Sequence, residues 1–179
     1  MCFQFNQTDP SETEKRQALI QRLLSLKSDL PKSSDDTDPL EKDPSTNAWI
    51  ESPFHVDYGI HLQVGENFYA NHGCTILDCH DVVIGKNVLL APHVCISAAT
   101  HPVDPDQRRQ GLEYSAPITI GDNVWVGANA TICPGVTLGD NVVVGAGAVV
   151  TKSFPDNVVI AGVPAKVIQK VNPKPSAPH

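Results

Sequence analysis

IGDNVW VGANAT ICPGVT LGDNVV VGAGAV VT, residues 120–151, divides into sixes without remainder until its last two residues. Each six opens on an aliphatic residue: Ile120, Val126, Ile132, Leu138, Val144 and Val150. Gly follows in four of them, and Asn or Gly stands three places on at Asn123, Asn129, Gly135, Asn141 and Gly147. A second small or apolar residue stands four places on, at Val124, Ala130, Val136, Val142, Ala148 and Phe154. Helical faces recur every three and four residues, so a period of six excludes a helix. It is the signature of a parallel β-helix, in which each hexapeptide is a short strand plus a corner. The aliphatic side chain points inward, and Asn or Gly supplies the left-handed backbone that a Cβ makes costly. One hexapeptide cannot bury its own apolar side, so coils stack and share a core.

The same phase runs upstream through Ile84, Leu90 and Ile96, with Val88, Val94 and Thr100 at the fourth offset. Val64, Ala70 and Ile76 agree with one another but stand two residues out of register, which places an insertion near residues 79–81. Between Ile96 and Ile120 the rung positions fall on Pro102, Arg108 and Tyr114. The chain therefore leaves the coil over 102–117 in a loop of roughly 16 residues, a length usually associated with function.

Composition suits one solenoid with small appendages. The chain has 179 residues, 41% hydrophobic and only 18% charged, with a net charge of -7. The acidic balance argues against nucleic acid as the main partner, and no run of 18 apolar residues predicts a membrane span. Residues 9–16 are charged where a signal peptide would be apolar. Five cysteines without a CxxC motif read as reduced thiols, so a cytoplasmic location is expected. A helix is expected over 11–26, a polar linker over 27–47, and a mobile Pro-rich tail over 172–179. The domain assignment is thus 1–48 for helix and linker, 49–171 for the β-helix, and 172–179 for the tail.

His101 is the leading candidate for chemistry. It stands where the coil ends and the loop begins, a rigidly supported position of the kind that often carries catalysis. An imidazole can take a proton from a hydroxyl at neutral pH; the alternative is a surface histidine in a turn. His61, His72, His80 and His93 form no tight set, and no catalytic metal is expected. Asn71 and Asp78 could each orient an acceptor or satisfy a corner. Trp125 precedes a core aliphatic and should point outward, marking an interface or a ligand shelf. Thr151, Lys152 and Lys166 could contact phosphates, although isolated lysines are usually just solvated.

The segments 67–71 (NFYAN), 99–102 (ATHP), 118–127 (ITIGDNVWVG), 134–139 (PGVTLG), 144–152 (VGAGAVVTK) and 161–166 (AGVPAK) together make the chain resemble a known family. It is similar, over about residues 1–170, to the hexapeptide-repeat acyltransferases of the maltose, galactoside and nodulation acetyltransferase group. The resemblance implies an all-β, left-handed parallel β-helix that forms homotrimers and binds acetyl-CoA between subunits. It implies that His101 is the general base of a direct acetyl transfer to a hydroxyl of a sugar or similar small acceptor. Asn71, with Asp57 and Asp78 nearby, would contact the acceptor. The coenzyme would lie near Trp125, Ala128, Ala146, Thr151, Lys152 and Lys166. Two departures are expected to matter: the family's usual first N-terminal helix has no counterpart before residues 11–26, and Cys79 occupies a position often held by Asp. Acetylation of a xenobiotic or antibiotic, or a non-enzymatic solenoid subunit, are the alternatives.

Overall fold

Lys15, Ala18, Ile20 and residues 47–172 are described in a computed structural model. The three isolated residues are helical and Ile20 is buried with the solenoid core. The rest of the expected helix, nearly all of the linker, and the tail after Asn172 lie outside the described residues.

The hexapeptides fold into three flat sheets wound as the faces of a prism. The first face holds β1 (Trp49–Ile50), β4 (Tyr69–Ala70), β7 (Leu89–Leu90), β12 (Trp125–Val126), β15 (Val143–Val144), β17 (Val158–Ala161) and β18 (Lys166–Lys170). The second holds β2 (Phe54–Val56), β5 (Cys74–Leu77), β8 (Cys95–Ser97), β13 (Thr131–Ile132) and β16 (Val149–Val150). The third holds β3 (Leu62–Val64), β6 (Val82–Ile84), β11 (Ile118–Ile120) and β14 (Thr137–Leu138). All these pairings are parallel except β17 with β18. The expected all-β parallel helix is therefore what the chain adopts.

The rung phase read from the sequence holds over residues 120–154, whereas Thr100, expected at a fourth-offset position, is exposed where the chain leaves the coil and Ala98 is buried in its place. Ile120, Val126, Ile132, Leu138, Val144 and Val150 are buried, and so are the residues four places on from Val124 to Phe154. Full burial of such a side chain contributes about 1.5–3 kcal/mol, repeated on every strand of every coil. Asn67, Asn87, Asn123, Asn129, Asn141 and Asn157 have φ between 55° and 61°, and Gly135 and Gly147 share that left-handed region. Stacked asparagines also bond to one another, Asn67 Nδ2 to Asn87 Oδ1 at 2.9 Å and Asn141 Nδ2 to Asn157 Oδ1 at 2.9 Å. Glycine after the aliphatic residue has a separate cause. At Gly121 and Gly139 a Cβ would collide with the carboxylates of Asp140 and Asp156 from the next coil. Those carboxylates accept the backbone N–H of Asp122 at 2.8 Å and of Asp140 at 2.9 Å, locking successive coils.

The structure corrects several boundaries. The start of the solenoid is not among them: β1 pairs with β4 from Trp49 on. Coils lengthen to 20 residues early (Tyr69 pairs with Leu89), settle at 18 (Trp125 with Val143) and shorten to 16 (Val143 with Val159). Two corners carry the extra length: the expected one between Asp78 and Val82, and a second over residues 57–61 that the six-residue pattern did not reveal. His80 therefore falls in an inserted corner, and Asp78 takes the buried place. The excursion is no irregular loop: β9 (Ala99–Thr100) leaves, β10 (Tyr114–Ser115) returns antiparallel to it, and a short helix spans Pro105–Arg109 between them. The segment after residue 165 is β18, an antiparallel strand that covers the end of the first face.

Candidate active site

His101 follows β9 directly and its side chain is exposed. Both flanks are fixed. Thr100 pairs with Tyr114 on one side. On the other, the Arg108 guanidinium donates to the carbonyls of Pro102 at 2.8 Å and Val103 at 2.6 Å. Arg108 is placed by the short helix, which Asp104 caps by accepting the Asp106 N–H at 2.9 Å, with Pro105 opening the first turn. The Tyr114 hydroxyl donates to Gln107 at 3.1 Å and ties the helix to β10. The excursion is thus a stapled hairpin that presents one imidazole to solvent. Asp-Pro is a helix-start signature, so the cap was legible in the sequence; the role of Arg108 was not.

His101 lies at the corner between the second and third faces. Asp57, Asp78, Cys79, Thr151 and Lys152 occupy the same corner in other coils. Asp57 is exposed and its Oδ2 accepts from the Cys79 thiol at 3.5 Å. Desolvation first, and then the Asp57 hydrogen bond and charge, push the Cys79 thiol up; Asp78 and Glu113 add to this. Thr151 and Lys152 are exposed, with Lys152 Nζ 5.7 Å from the centre of the Phe154 ring. Asp78, one of the candidate acceptor contacts, satisfies the backbone of its own corner in this structure. It is 0% exposed and its carboxylate accepts the backbone N–H groups of Tyr58, Gly59 and His61.

A different corner, between the first and second faces, holds Asn71, Ala128 and Ala146. Asn71 Oδ1 accepts the His72 N–H at 2.8 Å, which fixes the amide beside the strand end. The Gly147 N–H donates to the Ala128 carbonyl at 2.8 Å, and a Cβ at Gly127 would stand 2.6 Å from the Ala146 nitrogen, so these coils pack closely. Trp125 points outward as expected, 52% exposed, in register between Leu89 and Val143. Lys166 opens β18 and is exposed. The candidate residues therefore fall into two groups at two edges of one prism; the fold brings each group together but does not bring Asn71 to the corner of His101.

Among the described residues, no group of three or more His, Cys, Asp or Glu side chains is placed to hold a metal ion. No helix among them is long and apolar enough to cross a membrane. Cys74, Cys79, Cys95 and Cys133 are free, and burial pushes up the thiols of Cys74, Cys95 and Cys133.

Residues 117–152 match the family model described as a hexapeptide repeat of succinyl-transferase. The galactoside O-acetyltransferase of Escherichia coli (strain K12) is 45% identical over 172 residues, covering 96% of this chain and 76% of that protein. Among solved structures, a galactoside acetyltransferase in complex with coenzyme A superposes with a TM-score of 0.82 at 45% identity, covering 96% of this chain and 77% of the other. A maltose O-acetyltransferase from Clostridium difficile 630 gives a TM-score of 0.81 at 42% identity, with 96% and 83% covered. With likeness of this extent in both sequence and fold, the chain belongs to the hexapeptide-repeat acetyltransferases, the family of the galactoside O-acetyltransferases.

Proposed function

We propose that the chain transfers the acetyl group of acetyl-CoA to a hydroxyl of a sugar or similar small acceptor, with His101 as general base. The observation that carries this reading is the stapled excursion. It spends a helix cap, a guanidinium pin and an antiparallel strand pair on presenting one imidazole. The family supplies the reaction class, and the coenzyme A complex of a relative supplies the acyl donor's chemistry.

In the proposed step His101 removes the acceptor hydroxyl proton as its oxygen attacks the thioester carbonyl. The tetrahedral oxyanion is held by a backbone N–H near Ala128, an arrangement that needs no reorganisation during reaction. The C–S bond then breaks, and the imidazolium returns its proton to the departing thiolate. No covalent enzyme intermediate is needed. Trp125, Ala128, Ala146, Thr151, Lys152 and Lys166 line the route of the coenzyme. Asn71 and Asp57 contact the acceptor.

The separation of Asn71 and His101 onto different edges supports a homotrimer with shared sites, since neighbouring prisms can oppose one edge of each. The β-helix of 49–171 is the catalytic unit in this reading, and the free thiols favour a cytoplasmic setting. The test is acetyl-CoA turnover, followed as CoA thiol release, against a panel of sugars and drugs. Release with sugars supports the reading; release with drugs alone redirects it to xenobiotic acetylation; no release with any acceptor refutes it.

A further inference from the structure

His72 and His93 stand far apart in sequence and have no part in the reaction, yet the structure brings them together. Thr75 pairs with Cys95, so His93 lies one coil on from Gly73 and diagonally next to His72. The His93 N–H donates to the His72 carbonyl at 3.0 Å, and the Asn71 amide oxygen accepts the His72 N–H at 2.8 Å, which ties both backbones down. The two imidazoles meet edge-to-face, with 5.4 Å between ring centres and 86° between planes. The corner is shaped for this contact. His93 has a φ of 59°, the one left-handed residue among those described that is neither Asn nor Gly. Its ring lies over Gly73, where a Cβ would collide with Nδ1 and Cε1, so any larger residue at 73 would expel it. That edge of the ring faces the backbone, and Nε2 points away from it.

Both side chains are exposed, and neither ring hydrogen-bonds to any described residue. Two other histidines differ: His61 Nδ1 is engaged by the Asp78 carbonyl, and His80 Nδ1 accepts the Asp81 N–H. Two imidazoles that share a tetrahedral ion, each with a nitrogen about 2.1 Å from it, have ring centres about 5 Å apart. The observed separation matches, so turning the two exposed rings in place aims one nitrogen of each at a common point. Imidazole nitrogen suits zinc, copper and nickel, whereas magnesium and calcium take oxygen ligands. We propose that His72 and His93 form a site for one divalent transition-metal ion, with water completing its coordination. The ion has no part in acetyl transfer: His101 stands at another corner of the prism, and the step proposed there runs without it.

Zn²⁺ titrated into the chelator-treated full chain, followed by calorimetry, tests the site, with His72→Gln, His93→Asn and Cys79→Ser alongside. The native chain should bind one Zn²⁺ per chain, and Mg²⁺ should give no binding heat. Each histidine variant should weaken Zn²⁺ binding by at least about tenfold, the lower end of what even an outer-shell partner of a metal ligand contributes. His93→Asn keeps the corner, because Asn holds this left-handed conformation at Asn67, Asn87, Asn123, Asn129, Asn141 and Asn157. Its metal-free thermal transition should therefore match the native one. Cys79→Ser should leave Zn²⁺ affinity within about twofold, since that thiol lies at the corner of His101 and acts independently of His72. A native chain that binds no Zn²⁺, or histidine variants that bind it as the native chain does, overturns the site. Binding abolished by Cys79→Ser also overturns it, by placing the ion at the other corner.

Discussion

Val144→Asp tests the rung phase on which every placement above depends. Val144 is 1% exposed, and its partners in register, Val126 and Ile160, are both fully buried. A carboxyl placed there meets aliphatic groups and no donor from this column. Ionised, it carries an effective desolvation cost of several kcal/mol. Neutral at pH 7, it must hold its proton about three units above the usual Asp value near 3.9, which costs about 4 kcal/mol. Losing the buried valine costs about 1.5 kcal/mol more. A total between about 5 and 6 kcal/mol is comparable to the whole stability of many domains. At about 2–4 °C per kcal/mol for a chain of this size, Tm should fall by about 10–24 °C. The sign of the pH dependence follows. A carboxyl with a raised folded pKa is penalised above its unfolded pKa, and the penalty fades as pH drops towards about 4. Thermal unfolding by circular dichroism at pH 7 and pH 4 should show the gap to the native chain narrowing at the lower pH. Val143→Asp, whose side chain is outward and half-buried, should cost far less. A Val144→Asp protein with the native Tm at pH 7 would mean that the inward and outward positions are exchanged.

Asn71→Ala and His101→Ala should each be nearly inactive alone. If the sites are shared across subunits, co-refolding them in equal amounts should restore up to about a quarter of native activity, because random mixing leaves one interface in four with both positioned residues; a mixture as dead as its parents, with subunit exchange verified, would place both residues in one chain's site. Acetyl-CoA should bind chelator-treated protein with unchanged affinity by calorimetry, since the proposed contacts are side chains and backbone; loss of binding would point to a metal.

The solenoid was legible because its signal is periodic and local. Ile120 to Val150 announce their burial every six residues, and Asn123, Asn129 and Asn141 announce the left-handed corners beside them. Features that break the period were harder to read. The lengthened corner at 57–61 depends on Asp78, twenty residues away from Tyr58 in sequence, donating nothing to any local pattern. The hairpin in the excursion depends on Ala99 and Thr100 meeting Ser115 and Tyr114 across residues that no hexad governs. His101 stood out by its position at the coil's exit, but the Arg108 pin that holds its neighbours was invisible, because a guanidinium reaching two carbonyls leaves no mark in composition. Asp78 illustrates the opposite case: a polar residue at a corner suits a ligand or the backbone equally in the sequence, and its complete burial and its bonds to the backbone appear only in the structure.

The central claim is that His101 takes the proton from an acceptor hydroxyl during transfer from acetyl-CoA. CoA thiol release by His101→Ala, measured against the native chain with a galactoside acceptor at saturating acetyl-CoA, tests it most directly. The account predicts a fall in turnover of about 10²–10⁴, the usual contribution of a general base, with an unchanged thermal transition because the side chain is exposed. Turnover near the native rate in a folded His101→Ala protein would contradict it and remove His101 from the mechanism.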